Sequence, residues 1–212
     1  GKPVTLTSLY SYDPYFVHIE STVLDGGSPA DPDRGSVIAV FPDSLCGDGG
    51  EESNFRINRA DTTVIKGFTI KNGTGWKFTE IVATPEGDTV SVDKKIGGGI
   101  LSYKSNVKIN FNTIKDNGDP NTQNGINEGS GIHTWGDEPD SGDPGMRIIR
   151  DYSHNIFKDN YAVVGRSLYT HDLAGVIDLS FCDFDVIADL GDARGLQVSD
   201  YWCRGDSSVT FD

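Results

Sequence analysis

The sequence predicts an all-β solenoid, a fold in which short strands recur in a fixed order and stack on one another. Two observations predict this. A Gly-rich signature that ends in an apolar residue occurs three times, and a second signature rich in Asn, Lys and Asp occurs four times. The two signatures alternate along the chain, which is typical of stacked repeat architectures.

The first signature reads Gly97-Gly98-Gly99-Ile100, Gly129-Ser130-Gly131-Ile132 and Gly165-Arg166-Ser167-Leu168. The second reads Phe68-Thr69-Ile70-Lys71-Asn72-Gly73, Asn112-Thr113-Ile114-Lys115-Asp116-Asn117, Asn155-Ile156-Phe157-Lys158-Asp159-Asn160 and Cys182-Asp183-Phe184-Asp185. Their buried positions are 44, 43 and 27 residues apart. One turn of a solenoid takes roughly 20–30 residues, so the longer intervals are expected to contain insertions.

Two insertions can be recognised. Residues 79–84 and 89–92 alternate in polarity around a turn at 85–88, which predicts a β-hairpin. Residues 135–145 have no apolar period and predict an exposed loop. No segment keeps a helical apolar period for ten residues, so no long helix is expected. Asn112 and Asn155 occupy equivalent positions and predict a stacked asparagine ladder, the alternative being two unrelated turn asparagines.

Composition excludes several classes of partner. The chain has 18 Lys and Arg against 32 Asp and Glu, a net charge of −14. This charge would repel nucleic acid and anionic lipid, so neither partner is expected. No apolar run approaches the roughly 18 residues of a membrane span, so no membrane insertion is expected.

Residues 1–212 are expected to form a single domain. Because Gly1 begins in a strand-like pattern, we expect a fragment of a longer secreted protein.

The three cysteines, Cys46, Cys182 and Cys203, cannot all pair within one chain. Cys182 aligns with Asn112 and Asn155, which favours a buried thiol; a Cys182–Cys203 disulfide is the alternative. No Cys-X-X-Cys spacing indicates a zinc or redox site.

The motifs resemble those of a known superfamily. Segments 20–27, 62–73, 97–100 and 112–117 are similar to the right-handed parallel β-helix repeats of the pectate-lyase-like superfamily, and more narrowly to secreted bacterial surface proteins. The resemblance extends from Val4 to about Asn160. It implies a right-handed, single-stranded parallel β-helix with loop insertions, located outside the cell or at its surface. These are corner and core residues, so the resemblance leaves the activity open.

Aromatic residues follow each Gly-rich signature. Side chains alternate along a strand, so the first and third residues after the apolar position share one face. This places Leu101 and Tyr103, His133 and Trp135, and Tyr169 and His171 on neighbouring strands. We predict that the rings form an exposed stripe that binds carbohydrate, with Tyr103, His133, Trp135, Tyr169 and His171 as the binding residues. The alternative is that segments 117–128 and 135–145 fold over the stripe and bury it.

A catalytic role has weaker support. A polysaccharide lyase needs a base and a group that neutralises the substrate carboxylate. His133 or His171 with Lys104 or Arg166 could supply them, but no matched acid–base set recurs on the outward positions. Acidic pairs such as Asp183 and Asp185 are too common here to indicate a glycoside hydrolase. We therefore assign no catalytic residue.

Calcium is the one cofactor that the sequence suggests, and no metal-binding residue is assigned. Asp137, Glu138, Asp140 and Asp143 offer closely spaced oxygen ligands, and Asp25, Asp31 and Asp33 form a second acidic cluster. The sequence thus favours a non-catalytic extracellular module with a carbohydrate-binding or a surface and assembly role. A polysaccharide or cell-surface glycan is the expected partner, and end-to-end self-association is expected if the solenoid ends are open. A polysaccharide lyase or glycoside hydrolase acting on acidic polysaccharide is the alternative.

Overall fold

The structure, a computed structural model, describes residues 3–41, 62–85, 87–119, 125–136, 148–171, 175–184, 201–204 and 207–210. In chain order the first strands are β1 Thr5–Thr7, β2 Val23–Asp25, β3 Arg34–Gly35, β4 Ile38–Val40, β5 Thr63–Lys66, β6 Thr69–Lys71, β7 Gly75–Ala83, β8 Thr89–Ile96, β9 Ile100–Tyr103, β10 Val107–Asn110 and β11 Thr113–Lys115. The next are β12 Ile126–Glu128, β13 Ile132–Trp135, β14 Ile148–Asp151, β15 Ile156–Lys158, β16 Ala162–Val164, β17 Leu168–His171, β18 Gly175–Asp178, β19 Asp183–Phe184, β20 Tyr201–Arg204 and β21 Ser207–Thr210. A 3-10 turn at Leu9–Ser11 and helix α1 at Phe16–Ser21 interrupt the β structure.

The strands form stacked sheets with a repeating order. The sheets are β1-β5-β10, then β19-β15-β11-β6-β2 (the second sheet), β16-β12-β8-β7-β3, β20-β17-β13-β9-β4 (the fourth sheet) and β14-β18-β21. All pairings are parallel except those of β7, which is antiparallel to β3 and β8. The chain is therefore all-β and mostly parallel, as predicted, and the strand order is compatible with a β-helix.

The buried positions of the second signature are vertical neighbours. Ile114 lies in register with Ile70 on one side and with Phe157 on the other, and all three are fully buried. Phe184 continues the column and stacks on Phe157 with a 4.9 Å ring separation. Because parallel strands place equivalent residues side by side, one apolar column runs through successive repeats and forms the core.

The predicted asparagine ladder is present. The backbone N–H of Asn112 donates to Oδ1 of Asn155 at 3.0 Å, and the Asn112 amide donates to the same oxygen at 3.1 Å. Cys182 follows in this column, and its thiol donates to the Tyr152 carbonyl at 3.0 Å. Cys182 is a free, half-buried thiol, so the alternative of a bridge to Cys203 is wrong. Burial raises the pKa of Cys182 to about 11.

A second ladder, which the sequence analysis did not predict, lies at the next corner. Asn117 donates its amide to Oδ1 of Asn160 at 2.9 Å, and Asn160 donates to the Ile114 carbonyl at 2.9 Å. The left-handed backbone at these corners belongs to the preceding residues, Asp116 and Asp159, with φ of 53° and 50°. The asparagines thus supply hydrogen bonds, and their neighbours make the turn.

The predicted hairpin is also present and longer than expected. Strands β7 and β8 pair along their full length, from Trp76 opposite Ile96 to Ala83 opposite Thr89. Much of its outer part is exposed, including Ile81 at 71 %. Its inner end packs against the fourth sheet and shields part of that sheet from solvent.

Other predictions are not decided by the fold. Exposed apolar residues at the outer edge strands, such as Val4 and Val23, are compatible with end-to-end association, which stays a prediction. Among the described residues no helix is long and apolar enough to cross a bilayer. Cys46, residues 137–145 and the side chains of Tyr201, Trp202 and Phe211 lie outside the described part.

Asp151 gives the fold a predictable pH dependence. Its carboxylate accepts hydrogen bonds from Asn110 at 2.6 Å and from the Ser153 hydroxyl at 2.6 Å, and it pairs with Lys108 at 2.5 Å. Burial opposes ionisation, but these donors outweigh it and lower the pKa of Asp151 to about 2 from 3.8. Because the pKa of Asp151 is lower in the folded than in the unfolded state, its ionised carboxylate stabilises the fold at pH values above the unfolded-state pKa of 3.8. This stabilisation is lost as the pH falls from 3.8 to about 2.

We therefore expect Asp151→Asn to be less stable than the parent at pH 7 and to lose less stability on acidification through this window. Urea midpoints at pH 7 and at low pH measure both effects. Asp88→Asn, in the exposed hairpin turn, is the control and should follow the parent at both pH values. An unchanged acid sensitivity in Asp151→Asn would contradict the assignment.

Candidate functional site

The rings that follow the Gly-rich signatures come together on the fourth sheet. His133 pairs in register with Leu101 and Tyr169, and Trp135 pairs with Tyr103 and His171. The ring centroids of Trp135 and His171 are 3.8 Å apart and stacked, and those of His133 and Tyr169 are 5.1 Å apart. The prediction that these side chains form two adjacent columns on one face is confirmed.

The prediction that this face is exposed is wrong. His133, Tyr169 and His171 are 0 %, 3 % and 3 % exposed, whereas Tyr103 and Trp135 are half-buried. Phe78 of the hairpin packs against the column that contains Tyr103 and Trp135, with its ring 6.3 Å and 4.6 Å from theirs. The alternative, in which segments 117–128 and 135–145 fold over the rings, involves residues 120–124 and 137–145, which lie outside the described part of the chain. Carbohydrate binding by these rings stays a prediction.

A charged group lies beside the buried rings. Lys94 pairs with Glu128 and with Glu80, both at 2.7 Å. The other Glu128 oxygen lies 3.5 Å from Nε2 of His133. Burial opposes ionisation of Glu128, but its contacts with His133 and Lys94 outweigh it and lower the pKa of Glu128 to about 2. Burial lowers the pKa of His133, and the nearby Glu128 carboxylate opposes this shift.

This group contains the one set of converging metal-ligand atoms among the described residues. One ligand atom each of Glu128, His133 and His171 lies within 4.8 Å of the others, and all three residues are buried. Asp25, Asp31 and Asp33 do not converge in this way. Their carboxylates bind nearby donors instead, such as Lys71 for Asp25 and Arg34 for Asp31. The predicted calcium ligands Asp137, Glu138, Asp140 and Asp143 lie outside the described residues.

A different surface feature lies on the second sheet. Lys71, Lys115 and Lys158 stand in register on β6, β11 and β15 and form a lysine column. They line a groove of about 440 Å³ together with Thr69 and Thr113. Neighbouring strands are about 4.8 Å apart, so the three backbone positions span about 10 Å along the groove.

Helix α1 borders one side of this groove. Its Ile19 is buried, and the Ile19 carbonyl accepts a hydrogen bond from the Thr69 hydroxyl at 2.9 Å. Phe16 and Glu20 of the helix contribute to the groove lining. The helix thus gives the otherwise flat sheet face a wall at the β6 end.

The lysines are only weakly neutralised. Lys71 pairs with Asp25 at 3.3 Å and Lys115 with Asp116 at 3.4 Å, and all four side chains are about one-third to one-half exposed. Surface pairs of this kind contribute roughly 0–1 kcal/mol, so another anion could replace them. Like charges on neighbouring strands are destabilising, so the column carries a cost that a bound anion would offset.

The sequence contained the signal for this column. Each lysine directly follows the buried Ile or Phe of the second signature, at Ile70, Ile114 and Phe157. Once these apolar residues are vertical neighbours, the lysines must be as well. The apolar positions of the motif alone do not predict this column, because the signal lies in the charge beside them.

The residues considered for lyase chemistry do not form an accessible set. His133 and His171 are buried, so a polymer could not reach them without movement of the hairpin. Lys104 and Arg166 are half-buried and lie at different corners of the fourth sheet. Comparisons with known proteins found no matching family model, no matching curated protein and no matching solved structure.

Proposed function

We propose that this chain is a non-catalytic, extracellular right-handed parallel β-helix module that binds an acidic polysaccharide along the lysine column. The repeated signatures, their resemblance to pectate-lyase-like repeats and the parallel registers of the second and fourth sheets support the architecture. The single observation that carries the binding proposal is the alignment of Lys71, Lys115 and Lys158 in one groove.

A polymer with one carboxylate per sugar presents negative charge at regular intervals, as the column presents positive charge. Each ammonium group could meet one carboxylate through a charge-assisted hydrogen bond. The groove follows the stacking direction of the strands, so a long chain could extend past β15 and β19, away from the wall that α1 forms at β6. An isolated anion would use one lysine, whereas a polymer gains from all three.

The net charge of −14 does not exclude this ligand. At physiological ionic strength the Debye length is about 8 Å, so distant exposed charges are largely screened. Among the groove-lining residues Lys71, Lys115 and Lys158 are positive and Glu20 is negative. The ligand's carboxylates would replace those of Asp25 and Asp116, which pair weakly with Lys71 and Lys115. The repulsive remainder of the surface instead limits binding to this face.

We expect the double variant Lys115→Gln/Lys158→Gln to bind acidic polysaccharides such as polygalacturonate or alginate about tenfold more weakly than the parent. Two exposed contacts of about 0.7 kcal/mol each give this factor. The salt dependence of binding should also become shallower, because fewer counterions are released. Affinity electrophoresis or calorimetry at two salt concentrations measures both.

Lys77→Gln/Lys95→Gln is the matched control, since it removes the same charge from two hairpin lysines outside the groove and leaves the Lys108–Asp151 pair intact. An equal loss in the control, or no binding to any acidic polysaccharide, would sink the proposal. The absorbance of unsaturated uronate products, followed in the same samples, distinguishes a binding module from a polysaccharide lyase.

A further inference from the structure

We propose that Glu128, His133 and His171 bind one divalent transition-metal ion, with Zn²⁺ as the best-suited ion. This site lies on the fourth sheet, under the hairpin, and does not depend on the lysine column. The three ligands come from the ends of β12 and β17 and from the middle of β13, so successive repeats jointly supply them.

The distances between the three ligand atoms are close to those found around a bound metal ion. Nε2 of His133 lies 3.5 Å from Glu128 Oε2, and the three ligand atoms all lie within 4.8 Å of one another. Around a tetrahedral ion with bonds of about 2.0–2.1 Å, neighbouring ligand atoms are about 3.4 Å apart. Side-chain movements of up to about 1.4 Å would therefore complete the arrangement.

The hydrogen bonding of His133 points to a missing ligand. Its side chain is fully buried, and neither ring nitrogen has a hydrogen-bond partner. The 3.5 Å approach to Glu128 is too long for a good hydrogen bond. Leaving a buried polar group unsatisfied is unfavourable, so buried polar side chains in native proteins almost always have a partner. A metal ion at Nε2 would supply it.

Charge and ligand type favour a transition-metal dication. Lys94 occupies one oxygen of Glu128 and is shared with Glu80, so the three charged side chains sum to one negative charge. Lys94 also orients the carboxylate, which leaves Oε2 on the side of His133. Two imidazoles with one carboxylate suit zinc and similar ions, whereas calcium prefers oxygen ligands throughout. Three protein ligands leave one coordination position open.

The decisive experiment uses the full chain, stripped with a chelator and titrated with Zn²⁺. We expect one equivalent to bind and the melting temperature to rise by about 5–10 °C when free zinc is a hundredfold above Kd. His133→Gln and His171→Gln should each weaken binding by about a hundredfold or more. The control His18→Gln/His154→Gln removes the other two of the four histidines and should bind zinc like the parent.

A second measurement covers the case in which the buried variants fail to fold. In the parent protein, zinc should shift the ring resonances of two of the four histidines in heteronuclear NMR spectra. The variants His18→Gln and His154→Gln assign the resonances of His18 and His154, and the two resonances that zinc shifts should belong to neither residue. No zinc binding, equal binding in His133→Gln, or shifts at His18 or His154 instead would each overturn the proposal.

Discussion

Asn155→Ala is expected to lower the melting temperature by on the order of 10 °C or more, because it removes the centre of a buried ladder. Asn155 is fully buried and donates to the carbonyls of Ile109 and Tyr152, both at 2.7 Å. Its Oδ1 accepts from Asn112. The Asn112 N–H and the Ile109 carbonyl lose this partner, whereas the Tyr152 carbonyl keeps the Cys182 thiol. Each buried group left without a partner costs about 1–3 kcal/mol, so a total of about 2–6 kcal/mol is expected.

Differential scanning calorimetry or thermal circular dichroism measures the loss. Asn106→Ala is the matched control: Asn106 is half-buried, and its side chain makes one described hydrogen bond, to Thr62 at 2.9 Å. We expect that variant to lose less than about 1 kcal/mol. Similar losses in the two variants would show that the ladder is not a principal source of stability.

The repeat predicted the vertical contacts because equivalent positions in stacked parallel strands are neighbours. Ile70, Ile114 and Phe157 were recognised from their spacing alone, and so was the pairing of Asn112 with Asn155. The same spacing also predicts the Asn117–Asn160 ladder and the lysine column, because the residues of each occupy equivalent positions in the second signature. Apolar periodicity alone predicts neither feature, because both consist of polar residues. They become visible only when every position of the repeat is compared between its copies.

The burial of the rings could not be predicted in the same way. Alternation along β13 shows that His133 and Trp135 share a face, but it does not show what covers that face. Part of the cover is the β7–β8 hairpin, whose Phe78 contacts Tyr103 on the strand that follows the hairpin and Trp135 one repeat later. An insertion that folds back over a later repeat leaves no periodic signal.

The proposed metal group is invisible in the sequence for a related reason. Glu128 and His133 lie in one repeat and His171 in the next, 38 residues after His133. No compact ligand spacing connects them, in contrast to motifs in which two ligands lie on one helix turn. The ligands meet because register places β13 beside β17, and because Lys94 of the hairpin holds the Glu128 carboxylate.

Gly73→Ala is expected to destabilise the protein by about 3 kcal/mol or more, a shift of about 10 °C in melting temperature. A Cβ at this position would lie 1.9 Å from the Gly98 carbonyl oxygen and 2.5 Å from its carbon. Both atoms belong to the backbone of a first-signature segment, so neither can rotate away. The strain would also disturb the hydrogen bond from the Gly73 N–H to Oδ1 of Asn117, at 2.9 Å.

Gly27→Ala separates this steric effect from the general effect of replacing glycine. A Cβ there would lie 3.1 Å from Oδ1 of Asp25, which accepts hydrogen bonds from the Gly27 N–H and the Asn72 amide, so a shift of a few tenths of an ångström in this exposed side chain accommodates it. We expect Gly27→Ala to lie within about 1 kcal/mol of the parent, because the added Cβ also restricts the unfolded chain. Equal stability of Gly73→Ala and Gly27→Ala in thermal unfolding would contradict the close contact between Gly73 of the second signature and the Gly98 carbonyl of the first. The packing that brings the lysine column and the histidine pair into register would then need revision as well.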